Sequence, residues 1–234
     1  MMRRRIGATG VGGALLLLLG LNAPWAHAAL AGSLVGYDCA PELVDVARNR
    51  VRDFFGQAQA RPWVICFRGR DLGLNVSHGA ARFALLLPAI VVIGAEGQNA
   101  NVLAHELAHA EIAARTGPLL RTYKIPTWFD EGLAMQLDHR PHYSRGALYS
   151  HLASDDIKRP RLGTIDWPNS FYQTGDQGEA HYALSKCVIE EWLGDDPLNK
   201  ANGFLSAVAW NWDFPTDDFR QHESACTSLI PTRL

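Results

Sequence analysis

The sequence has no long basic run, no internal repeat, no low-complexity tract and no CxxC pair. Each absence argues against a class of protein. Without a basic run there is no electrostatic footprint for nucleic acid. Without a CxxC pair, a zinc site built from cysteines is not expected. Beyond the first two dozen residues there is no second apolar run of bilayer length, so no stable membrane span is expected in the body of the chain. Bias toward charge is also missing: 47% of the 234 residues are hydrophobic and 20% are charged. Those are ordinary globular proportions, enough for one domain with a real core.

What is present starts at the N-terminus. Arg3, Arg4 and Arg5 precede an apolar run densest from Ala14 to Leu21, and Ala26-His27-Ala28 follows. A positive segment, a short apolar segment and a small-x-small site read as a secretory signal peptide over residues 1–28. The expected location is periplasmic or secreted. Removing residues 1–28 takes away three arginines and no acid, which leaves the remainder acidic. The four cysteines are Cys39, Cys66, Cys187 and Cys226. An even number in an oxidising compartment predicts two disulfides, with three pairings open. Cys39 with Cys66 and Cys187 with Cys226 is favoured, because each pair then lies within one half of the chain.

Along the chain, Pro41–Phe55 has helical spacing with proline in the first turn. Trp63–Phe67 reads as a strand. Ala84–Leu87 and Ala89–Ile93 read as a strand or a pair broken at Pro88, which argues for a sheet edge or a bulge. Asn99–Arg115 is helical, and Gly117-Pro118 stops it. A linker runs to Pro126, and Thr127 is placed to cap a helix reaching Leu137. Further helices are expected at Ser144–Leu152, Glu179–Leu193, Pro197–Trp210 and Pro215–Cys226. The fold class is therefore α+β: a small mixed sheet with an edge strand in the N-terminal half and a mostly helical C-terminal half. Residues 29–234 form a single expected domain, with an α/β part (29–116), a helical part (117–234) and a cleft between them. Trp128 and Phe129, and Trp192, Trp210 and Trp212 in the helical half, read as core. His139 and His142 read as solvated loop residues; His78, His151 and His222 have no identifiable partner.

The chemistry-bearing segment is His105-Glu106-Leu107-Ala108-His109. Histidines four apart share one face of a helix and can bind one ion, while the glutamate beside the first can reach a metal-bound water. A catalytic zinc takes three protein ligands and leaves a position for water. The metzincin solution needs a glycine and a histidine where this chain has Ile112 and Arg115, so it fails. A glutamate from a later helix is the alternative, and Pro126-Thr127-Trp128-Phe129-Asp130-Glu131-Gly132-Leu133-Ala134 offers one. Asp130 is its nearest competitor and Asp166 a distant one. Gly132 would permit close helix approach.

HELAH followed by PTWFDEGLA resembles the gluzincin clan of zinc metallopeptidases, especially its small bacterial peptidase MA-like domains. The resemblance covers roughly residues 85–195. It implies a zincin-like fold whose active-site helix carries the motif. It implies one Zn2+ per chain held by His105, His109 and Glu131, with Glu106 as general base. It also implies a tyrosine donor to the oxyanion at the start of a later helix, where Tyr182 is the matching position. The implied partner is a peptide or protein substrate. The chain departs from the thermolysin pattern at Met135, where a second acid would stand. It also lacks an exopeptidase amine-binding motif in the preceding strand. A different class of function uses the same residues: a non-catalytic zinc-binding protein, or a cell-envelope assembly factor, on the same scaffold.

Overall fold

The computed structural model describes residues 39–67, 79–84, 87–152, 157–210 and 214–228. The expected signal peptide, His78 and Trp212 lie outside the described residues. The fold is mixed α+β and mostly helical. Helix α1 (Pro41–Phe55) leads to β1 (Trp63–Cys66), β2 (Gly79–Ala84) and β3 (Leu87–Ile93). Then come α2 (Ala100–Thr116), α3 (Pro118–Tyr123), α4 (Thr127–Ala134), α5 (Arg145–Leu152) and the short α6 (Pro168–Phe171). Helices α7 (Gly175–Leu193), α8 (Pro197–Trp210) and α9 (Arg220–Ser228) complete the order.

Among the described residues the sheet runs β1-β3-β2, with β1 parallel and β2 antiparallel to β3. Of the two readings of Pro88, a sheet edge or a bulge, the edge is overturned and an irregularity in the ladder is found. β3 is central, and the antiparallel edge strand is β2, which lies on α2. Pro88 is tolerated because the β1 ladder begins only at Trp63↔Ile90, after it, and because the β2 pairing shifts register between Arg82 and Ala84, opposite it. The missing N–H therefore falls where the ladder is already broken.

Helix α2 is the axis of the molecule. The Asn99 side chain caps it by accepting from Asn101 N and Val102 N. Every residue from Val102 to Ala113 is buried, because α1, α4, α8 and the sheet all pack on it. Gly117, at φ 88°, turns the chain into α3, a helix the sequence pattern had assigned to a linker. Trp128 and Phe129 on α4 enter an aromatic cluster with Trp192, Phe204, Phe214 and Phe219, mostly edge to face. Trp210 does not join it: at 86% exposed it stands at the solvent end of α8, contrary to its expected core position. α4 begins after Pro126 rather than with Thr127 as its cap, and it is shorter than expected.

Gly132 is required by close packing. A Cβ there would lie 2.6 Å from Ile189 Cγ1 and 2.7 Å from the Ser185 carbonyl oxygen, so it is α7 that approaches. Cys39 is bonded to Cys66, and Cys187 to Cys226, as the halves of the chain suggested. The first ties the start of α1 to β1 and the second ties α7 to α9. Two disulfides fit an oxidising compartment. No helix among the described residues is long and apolar enough to cross a membrane.

Candidate metal centre

The helical spacing of His105 and His109 places both imidazoles on the face of α2 that meets α4. Glu131, the fifth residue of α4, faces them. His105 Nε2 lies 3.1 Å from Glu131 Oε2 and 3.1 Å from His109 Nε2, and His109 Nε2 lies 3.5 Å from Glu131 Oε2. All three side chains are buried. These atoms form the one His/Cys/Asp/Glu cluster of metal-binding shape among the described residues.

The triangle can be tested against a metal. Donors about 2.0–2.1 Å from a tetrahedral ion are separated by about 3.3 Å. The observed edges match one face of such a tetrahedron. The chemistry of the set agrees. Three lone-pair donors converge here, and each imidazole nitrogen can carry at most one proton, so protons cannot satisfy all three contacts. Whichever ring nitrogens carry protons, at least one of the three contacts is left donor to donor or acceptor to acceptor, an arrangement a cation resolves. The residues fit a divalent ion with nitrogen and oxygen ligands.

Supporting contacts orient the donors. Asp130 is brought to His109, not to the donor triangle: its Oδ2 lies 3.0 Å from His109 Nδ1. Arg121 of α3 holds the same carboxylate, with Nε donating to Oδ1 at 2.9 Å and an NH2 contact to Oδ2. A carboxylate behind a ligating histidine fixes its tautomer and ring orientation. Burial alone would lower the His109 pKa, but Asp130 and Glu131 raise it to about 10. Burial would raise the Glu131 carboxyl, yet His109 and the hydrogen bonds from both histidines hold it well below the usual range. Neither histidine Nδ1 makes a hydrogen bond of good geometry, but His109 Nδ1 has the Asp130 carboxylate at 3.0 Å as an ion-pair partner.

The second oxygen of Glu131 is also claimed. The Tyr172 hydroxyl donates to Glu131 Oε1 at 2.5 Å. Oε1 is thereby turned away and Oε2 left toward the histidines. Sequence reasoning missed Tyr172, which follows α6 on an irregular stretch with no motif around it. His181 indirectly sets its place. Gln177 Oε1 accepts from Lys158 N, and Gln177 Nε2 donates to Lys158 O, so its amide presents N–H to His181 Nε2 at 2.8 Å. His181 is then the neutral tautomer that donates from Nδ1 to the Phe171 carbonyl at 2.7 Å, one residue before Tyr172.

Tyr182, the tyrosine singled out by resemblance, is half-buried against Phe171 and Tyr143. Burial, then the charges of Glu131, Tyr143 and Glu106, push its pKa well above the ordinary value, which keeps it a neutral O–H donor. Glu106 is 8% exposed and is not one of the three converging donors. Burial raises its carboxyl pKa, against the lowering pull of His105 and His109. Asp166, the distant competitor, accepts from the Trp128 indole at 2.9 Å and anchors the start of α4. Glu111, on the far side of α2, accepts from Gln59 N, Ala60 N and Arg115 and is structural. His139 and His142 are exposed, as a solvated loop requires.

Comparisons with protein-family models, with curated protein sequences and with solved structures gave no match to the chain. The centre is therefore defined by its own geometry: three buried donors on two packed helices, with an unligated glutamate beside them.

Proposed function

We propose that the chain is a zinc-dependent peptide hydrolase of gluzincin type, with His105, His109 and Glu131 as ligands and Glu106 as general base. The observation that carries this reading is the His105–His109–Glu131 triangle, together with a fourth, non-ligating carboxylate in the same buried volume. A purely structural zinc normally has a fourth protein ligand and needs no base. When bound, the metal supplies a Lewis acid that acidifies water and polarises a carbonyl.

The protein's own residues do the rest. Glu106 takes the proton of the attacking water and returns it to the departing amine nitrogen as the C–N bond breaks. Burial raises its carboxyl pKa, which makes the ionised group a better proton acceptor. Tyr182 donates to the oxygen that becomes negative at the tetrahedral stage. Tyr172 holds Glu131 Oε1, so that Oε2 keeps one orientation through the cycle. The antiparallel edge strand β2, beside the motif helix, is positioned to pair with an extended peptide.

The test is metal content by elemental analysis of the purified mature protein and of Glu131→Ala, with a peptide library run on wild type and Glu106→Gln. The expected result is one zinc per chain, lost or greatly weakened in Glu131→Ala. Glu106→Gln should keep the zinc and lose hydrolysis. Zinc that is absent from wild type, or unchanged in Glu131→Ala, refutes the ligand set. Zinc bound with no hydrolysis of any peptide favours the non-catalytic binding protein.

A further inference from the structure

Gly79 opens β2 directly over the motif helix. Its φ is not in the left-handed region, so its backbone conformation does not demand glycine. A strand position would ordinarily favour a residue with a side chain, since glycine there costs entropy and packs nothing. What does demand glycine is Glu106. A Cβ on Gly79 would lie 2.8 Å from Glu106 Cγ, 2.8 Å from Oε1 and 3.1 Å from Cδ, and these are the three nearest atoms. Cγ is not the free end of the side chain, so rotating the carboxylate alone does not clear the overlap. Ala81, two residues on and therefore on the same strand face, packs against the core, which shows that this face is turned inward.

We propose that Gly79 is a positioning residue for Glu106: the missing side chain lets the edge strand close over the glutamate and hold its carboxylate against the His105–His109–Glu131 group. The strand and the glutamate are thus a mutually fitted pair. Any larger residue at position 79 pushes Glu106 off its seat while leaving the three ligands in place. The effect on turnover rests on Glu106 being the base; the steric coupling does not.

The test is a double-mutant cycle of wild type, Gly79→Ala, Glu106→Ala and the double variant, read by zinc content and thermal unfolding. kcat and KM for a cleaved peptide are measured on Gly79→Ala. Zinc content is expected to be the same in all four proteins. Gly79→Ala alone should lower Tm by roughly 3 °C or more, as overpacking does in a domain of this size. In the Glu106→Ala background the same substitution should cost nothing or raise Tm, because the obstructing atoms are gone. kcat should fall about tenfold or more, with KM little changed, as for loss of an interaction made in the transition state. Equal Tm effects of Gly79→Ala in both backgrounds overturn the proposal, as does loss of zinc in Gly79→Ala. The cycle decides the matter even if no peptide is cut, so failure of the hydrolase reading and failure of this one are distinct results.

Discussion

Metal binding at this centre should compete with a proton on His109, and the competition can be measured. In the metal-free protein the His109 ring lies between Asp130 and Glu131, which hold its pKa near 10. An ion that takes Nε2 must displace that proton. Between pH 7 and 9 the ring is almost wholly protonated, so apparent metal affinity should rise about tenfold per pH unit, one proton released per ion. Over that range the gain is about 100-fold, or about 2.7 kcal/mol. The assay is competition against a chelator whose own proton linkage is known, at constant ionic strength. Asp130→Asn supplies the internal control. Losing the carboxylate charge loosens the His109 proton, so the slope should flatten. At pH 9, where the proton competes least, the variant should bind metal about 10–100-fold more weakly, because the ring has lost its orienting partner. Asp166→Asn, altered at the indole contact instead, should leave the slope intact. A flat pH profile for wild type, or an unchanged slope in Asp130→Asn, would refute this account of the site.

Three further outcomes follow from packing and burial. Gly132→Ala should destabilise by about 1–3 kcal/mol in urea unfolding, since its Cβ meets the Ser185 carbonyl, a backbone atom that cannot step aside; a neutral effect would show that α4 and α7 are looser than described. Replacing both Cys187 and Cys226 by alanine opens a loop with sequence separation 39 and should cost about 4 kcal/mol, a Tm drop of about 8–16 °C. His181 is pushed below its ordinary 6.5 by burial, with the Phe171 carbonyl bond opposing. The unfolded chain therefore takes the proton first, so stability should fall as pH drops through the window just below 6.5. His181→Gln should shallow that dependence, as read by Tm from pH 5 to 7.

Much of this architecture was legible because its signals are local. The α2 boundaries follow from the Asn99 cap and Gly117, and the histidine spacing is a property of any helix. Helix α8 begins and ends where proline and periodicity placed it. The disulfide pairing followed the division of the chain into halves. What escaped was set by tertiary contact. β2, Gly-Ala-Ala-Arg-Phe-Ala, carries no β-branched residue and so gave no strand signal, and a Cβ at its first position would meet Glu106. Pro88 pointed to an edge or a bulge; β3 is central, and the proline lies outside the β1 ladder and opposite a register shift in β2. Asp130 looked like a rival ligand because sequence shows that an acid is there but not which atom it faces. Arg121 lay in an assumed linker, and Tyr172 has no motif at all. The orienting contacts arrive from elements distant in sequence, so no spacing rule records them.

The eight residues of α4 bind the site to the fold. Every residue of Thr127–Ala134 is buried. Trp128 and Phe129 seat the helix in the aromatic cluster, Gly132 lets α7 close on it, Asp130 orients His109 and Glu131 faces the histidines. Without a bound cation, the centre of the molecule therefore carries buried charge. At low pH that charge is partly offset: with His109 protonated, two cations, His109 and Arg121, face two anions, Asp130 and Glu131. His109 has a folded pKa above its unfolded value. The stability it lends the metal-free protein is full below about 6.5 and is lost as pH rises toward 10. The metal-loaded protein has no such proton to lose. Chelation should therefore lower Tm at every pH, and the gap between loaded and metal-free protein should widen from pH 6.5 to 9. At free metal about 1,000 times Kd the loaded protein gains about 4 kcal/mol. Scanning calorimetry with and without chelator reads the gap directly. A gap that narrows as pH rises would mean that His109 is neutral in the metal-free protein, and that the charge balance drawn between α2, α3 and α4 is wrong.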